Sequence, residues 1–206
     1  MAVRTIVFDF GNVLGYFSHR KAAEQLAAFG PPGIQPEEII PFMVRPELEH
    51  PFEMGRLTPT DVLGQLRKRF DLGGTHDQLA HAFADMFTPN EHACSLVPRL
   101  QGRYRLVLLS NTNDLHYRHF RRQFASTLDR FDVLVVSHEV GVRKPDRAIY
   151  EHAHERAGCA PGECLFIDDL PVNIEAARAC GWQGIVYRQG DNLVDHLRQA
   201  GVDLEA

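Results

Sequence analysis

The stretch Thr5-Ile-Val-Phe-Asp9-Phe-Gly-Asn-Val-Leu14 decides how this chain is read. An apolar, β-branched run that breaks on a Gly-Asn turn signal predicts a buried strand. Asp9 then stands at its carboxyl end, where open α/β sheets hold ligands. An acid buried there is costly unless it has a task. A second carboxylate two residues further on would complete a pair of nucleophile and acid/base, and Gly11 occupies that place.

Moving outward, further apolar strands are predicted at Tyr104 to Ser110, Phe131 to Ser137, Glu163 to Ile167 and Gln183 to Tyr187. Each is followed by an amphipathic or capped segment, and that alternation predicts an α/β fold: a doubly wound, parallel, Rossmann-like sheet covered by helices. The rhythm fails for about ninety residues after the first strand, too long for an ordinary crossover. The insert reads as helical. Val62, Leu63, Leu66 and Phe70 share one face, as do Leu79, Phe83 and Met86, while Thr58-Pro-Thr-Asp61 and Thr75-His-Asp-Gln78 carry N-cap signals with Pro59 at a first helical position. The proline-rich stretch from Pro31 to Pro51 predicts shorter linked helices. We therefore expect a core of residues 1–16 and 91–206 and a helical cap of residues 17–90 over the sheet edge that bears Asp9.

The 206 residues suffice for one large domain or a core with an insertion, and the formal charge of −5, with acids and bases mixed, argues against nucleic acid as a partner. The run Arg118 to Arg122 reads as a solvated helix face. No stretch approaches the roughly 20 apolar residues of a membrane helix. Cys94, Cys159, Cys164 and Cys180 lack metal-ligand spacing, and without a secretory signal they predict reduced thiols in a cytoplasm. His116 and His119 lie one helical turn apart without an acidic partner and read as surface residues, and Trp182 reads as a packing residue. The expected partner is a small molecule, bound by a monomer or small homo-oligomer.

The later strands also end in polar residues. Ser110 and Asn111 deliver a hydroxyl, an amide and a backbone turn able to present N–H donors to an anion. Asp168 and Asp169 deliver two acids, and Lys144 precedes a proline expected to start a helix. A parallel sheet brings these ends to one edge. Asp9, Asp168 and Asp169 would repel one another unless a cation joins them, and a hard divalent ion with few protein ligands, Mg2+ by habit, resolves the conflict. Lys144 then offers a fixed charge, and Ser110 a hydrogen bond, to a phosphoryl group.

Asp9-Phe-Gly-Asn-Val-Leu14, Leu109-Ser110-Asn111-Thr-Asn113, Gly141-Val-Arg-Lys144-Pro-Asp-Arg-Ala-Ile-Tyr150 and Phe166-Ile-Asp168-Asp169-Leu-Pro-Val-Asn173-Ile-Glu-Ala-Ala177 together resemble the four motifs of the haloacid dehalogenase-like hydrolases. The insert falls where that superfamily carries a helical cap. Within it, the chain is most similar to sugar-1-phosphate phosphatases and to the phosphatase domain of soluble epoxide hydrolases. The resemblance implies that Asp9 attacks phosphorus to give an aspartyl-phosphate, which water then hydrolyses. It implies Asp169 as a direct magnesium ligand beside Asp9, Asp168 acting through water, the backbone carbonyl of Gly11 as a further ligand, and Asn173 as a brace. Ser110, Asn111 and Lys144 would bind the phosphoryl group.

Gly11 departs from the superfamily, in which an aspartate at that place protonates the leaving group. Its loss forgoes general acid–base catalysis worth about 10²–10⁴-fold. Three readings remain open from sequence. One is a phosphatase acting on a good leaving group, such as a sugar 1-phosphate, or borrowing an acid from the cap or from His19. The resembling subgroup itself includes members with Gly-Asn here. Another is a 2-haloacid dehalogenase with Asp9 attacking carbon, although the acid pair Asp168 and Asp169 weighs against it. The third is a phosphate-binding or scaffolding module that turns over slowly.

Overall fold

The computed structural model describes residues 2–204. Its centre is a five-stranded parallel sheet built from β1 (Thr5–Phe8), β4 (Arg105–Ser110), β5 (Val133–Val136), β6 (Cys164–Asp168) and β7 (Gln183–Val186), in the spatial order β5-β4-β1-β6-β7. All five strands predicted from sequence form, with ends shifted by a residue or two. Phe8 lies level with Leu108 of β4 and Ile167 of β6, so the chain leaves all three strands on the same edge.

Both faces of the sheet are covered, which explains the continuous apolar runs of its strands. Ile6 and Phe8 pack on one side with residues of α6 (Glu91–Leu100), α7 (Asp114–Gln123), α8 (Ala125–Leu128) and α12 (Leu193–Gln199). Val7, Val107, Leu109 and Phe166 pack on the other, against α10 (Arg147–Ala157) and α11 (Pro171–Ala179). A short helix, α9 (Ser137–Val140), follows β5.

Five helices fill the insert: α1 (His19–Ala27), α2 (Pro36–Met43), α3 (Pro46–Glu53), α4 (Pro59–Phe70) and α5 (His76–Ala84). Thr58 and Thr75 cap α4 and α5 in reciprocal capping boxes with Asp61 and Gln78, as their spacing predicts. Val62, Leu63, Leu66 and Phe70 are buried together. Met86 is buried too, but α5 ends at Ala84, so it packs from the following turn and not from the helix face it was expected to share with Leu79 and Phe83.

Two features were not anticipated. The insert is joined to the sheet through a two-stranded antiparallel ribbon, β2 (Gly15–Phe17) with β3 (Phe87–Pro89), each strand too short to carry an alternating pattern. The expected proline start of the helix after Lys144 is also replaced: Pro145 follows a cis bond in the turn, and α10 opens at Arg147 with Asp146 accepting from the Ala148 N–H as its N-cap. Proline's fixed ring is accommodated before the helix instead of in its first turn. No helix of the described residues is long and apolar enough to cross a membrane, and all four cysteines are free thiols.

Candidate active site

Asp9 emerges from β1 into a crowd of charge. The Phe10 N–H donates to its Oδ1 at 2.7 Å, and Lys144 Nζ lies 2.8 Å from the same oxygen and 2.6 Å from Oδ2 of Asp168. Carboxylate oxygens of Asp9, Asp168 and Asp169 all lie within 4.8 Å of one another. Burial raises the Asp9 pKa to about 7; Lys144 opposes the rise, while Asp168 and Asp169 add to it. Three acids around one lysine leave an excess of negative charge in a site poor in water, the donor set that suits a hard divalent cation. Burial works against the charge of Lys144, yet Asp9 and Asp168 outweigh it and hold its pKa above the ordinary lysine value.

The lysine is held at both ends. Asn111 of the β4 end accepts from the Lys144 backbone N–H at 2.7 Å and donates to its carbonyl at 3.0 Å. That clamp occupies the Asn111 side chain on the lysine loop, and Ser110 to Asn113 together line the cavity at this strand end. Asp168 is equally engaged. Asn173 donates to both of its oxygens at 3.0 and 3.1 Å, and the Leu170 N–H to Oδ1 at 2.8 Å, so the residue expected to meet metal through water is first the counter-ion of Lys144. Asn173 is the brace that the motif implies. Asp169 is half-buried, with burial raising its pKa against the hydrogen bond that Asn12 Nδ2 donates to its Oδ2 at 2.9 Å.

Beside Asp9 opens a cavity of about 260 Å³ between the strand ends and the insert. Its walls are largely apolar, with Phe10, Phe17, Met43, Leu48, Phe52 and Phe83 prominent. A β-carbon on Gly11 would lie 3.2 Å from the Phe17 ring, so the ribbon brings an aromatic side chain close to this position. His19 lines the cavity and is partly buried, and burial lowers its pKa.

Sequence reading of His116 is corrected. It lies against the cavity instead of on the surface, stacked on Phe83 with ring centroids 4.9 Å apart, and burial lowers its pKa to about 3. His119 faces away, 3.5 Å from Asp85, so the two histidines do not converge on a metal. Three groups escaped sequence reading altogether. Arg143 donates from Nε to Glu53 of α3 at 2.8 Å, tying the insert to the loop of Lys144. Glu49, one turn earlier on α3, also lines the cavity. A charged residue on a prolyl helix gives no signal of what it faces; only the GVRKP segment, which places Arg143 beside the lysine, hinted at such a link.

A protein-family model described as haloacid dehalogenase-like hydrolase matches residues 3–181. A sesquiterpene phosphatase of Aspergillus oryzae is 29% identical over 160 residues, covering 76% of this chain and 81% of its own. A phosphatase of Mycobacterium tuberculosis is 28% identical across 100% of this chain and 98% of its own. Among solved structures, a haloacid dehalogenase family enzyme of Bacteroides thetaiotaomicron superposes with a TM-score of 0.85 at 24% identity, covering 96% of this chain and 100% of that one.

Proposed function

The chain belongs to the haloacid dehalogenase-like hydrolases, and on that premise we propose that it is a magnesium-dependent phosphatase of a small phosphorylated metabolite, working through an aspartyl-phosphate on Asp9. The observation that carries this reading is the convergence of Asp9, Asp168 and Asp169 within 4.8 Å around the buried Lys144. Carbon attack in a dehalogenase needs no such set of acids. The relatives named above as phosphatases support attack on phosphorus.

Asp9, Asp169 and the Gly11 carbonyl are the groups that would hold magnesium. When bound, the ion offsets the charge of the acids and stabilises negative charge on phosphoryl oxygens. In the first step, an Asp9 oxygen bonds to phosphorus as the ester oxygen leaves with its electron pair. Lys144, fixed by Asn111 and Asp168, meets the charge of the transferring group without reorganising, and the Ser110 hydroxyl donates to a phosphoryl oxygen. In the second step, water attacks phosphorus and frees Asp9. Residues 17–90 act as the cap that closes over the ester's organic part. A sugar 1-phosphate, with its good leaving group, is one such substrate, and the apolar walls favour an ester that presents an apolar face.

A screen of phosphorylated metabolites with and without Mg2+, with Asp9→Asn as the blank, tests the reading. Wild type is expected to release phosphate only with Mg2+, and the variant at no more than the rate without enzyme. Equal release by both, or indifference to chelation, would overturn it.

A further inference from the structure

Resting on the phosphatase reading, we infer that Glu49, carried by the insert, is the general acid–base that stands in for the aspartate absent at Gly11. Gly11 carries no side chain, and a β-carbon there would lie 3.2 Å from the Phe17 ring. Any proton for the leaving group must therefore come from elsewhere in the cavity.

The candidates narrow by their hydrogen bonds. Asn12 is bound to Asp169, Glu53 to Arg143, Asn111 to Lys144 and Thr112 to Ser137. His116 is held neutral by burial, without a proton to give as an acid near neutrality. Among the described residues, Glu49 is the cavity-lining carboxyl whose side chain makes no hydrogen bond or ion pair.

Its direction is set by its helix. Glu49 lies four residues before Glu53, hence on the same face of α3, and Glu53 is fastened to Arg143 next to Lys144. Leu48 and Phe52, each the residue before one of these glutamates, line the same cavity. The groups that bear on Glu49 are Glu53 from its own helix and Arg143 from the lysine loop; His19 of α1 and the Asp9, Lys144 and Asp169 cluster share the cavity. Burial, helped by Glu53 and opposed by Arg143, raises its pKa to about 7, suited to giving and taking a proton near neutrality.

The proton balance closes. As Asp9 bonds to phosphorus and the P–O ester bond breaks, the Glu49 proton moves to the departing oxygen, which leaves as an alcohol. Glu49, now a carboxylate, takes a proton from the water that attacks the aspartyl-phosphate, and both residues return to their starting states with inorganic phosphate released.

Leaving-group dependence separates this role from binding or packing. An alkoxide needs protonation, whereas p-nitrophenolate departs without it. Glu49→Gln is expected to lower kcat/KM, which reports only the steps up to the aspartyl-phosphate, by about 10²-fold or more for n-butyl phosphate, yet to change kcat/KM for p-nitrophenyl phosphate by no more than a few-fold. The second figure also reports that the variant is folded. In wild type, kcat/KM for the alkyl ester should fall above about pH 7, and that limb should vanish in Glu49→Gln and return in Glu49→Asp. Equal losses of kcat/KM on both esters, or none on either, would overturn Glu49 as the proton donor to the leaving group while leaving the phosphatase reading intact. Failure of wild type to release phosphate from either ester with Mg2+ would bring down both.

Discussion

Single residues here do work that their neighbours in sequence do not announce. His116 is the clearest case, because its partly buried imidazole packs against Phe83 and Phe87 and is held neutral, with its pKa lowered from 6.5 to about 3. Unfolding exposes the ring, which then takes a proton below pH 6.5. The unfolded state thus binds more protons, so the stabilisation is complete above that pH and is lost as the pH falls toward 3. Urea unfolding at pH 7 and pH 5 should show wild type losing about 2 kcal/mol from this group, an increment absent from His116→Gln. An equal drop in both proteins would mean that other groups govern the acid limb. Asp9 shows the opposite relation between residue and neighbours. Its run TIVFDFGN already told that an acid stood at a strand end, because burial and turn chemistry are local.

At the scale of elements, the parallel sheet was legible because each strand is a short apolar run buried on both faces, closed by a turn residue. The helices of the insert were legible through their capping boxes. The ribbon of β2 and β3 was not, since three residues cannot display a period and its pairing joins segments seventy residues apart. That ribbon matters, because it carries Phe17 over Gly11. The seam between insert and core has a second fixed point after α3, where Gly55 adopts φ +66° and a β-carbon would collide with the His138 carbonyl. Gly102 has a similar φ of +79° but open space around it. Gly55→Ala should therefore lower thermal stability by clearly more than Gly102→Ala, with a cost above about 1 kcal/mol. Comparable melting temperatures would show that α3 shifts freely against the core.

Across the whole molecule, one apolar core runs from the β1 residues Ile6 and Phe8 through to Ile39, Leu48, Val62 and Leu79 of the insert, so the cavity is walled by both parts of the chain. The strand termini line one part of it, and α2, α3 and the ribbon line another. In a series of n-alkyl phosphates, each added methylene should then be worth up to about 0.8 kcal/mol, or roughly fourfold in kcat/KM, until the cavity is full. A flat series would show that the chain stays in water. The sequence by itself determined the sheet, the existence of a helical insert and the gathering of Asp9, Lys144, Asp168 and Asp169 at one edge, because hydrophobic period, turn chemistry and charge at a strand end are properties of a few consecutive residues. Only the tertiary structure decided that Asn111 clamps Lys144, that His116 packs against Phe83 and Phe87, that Phe17 comes close to Gly11 and that Glu49 lines the same cavity as Asp9. Those relations join residues tens of positions apart, and nothing but packing fixes which side chains meet across such distances.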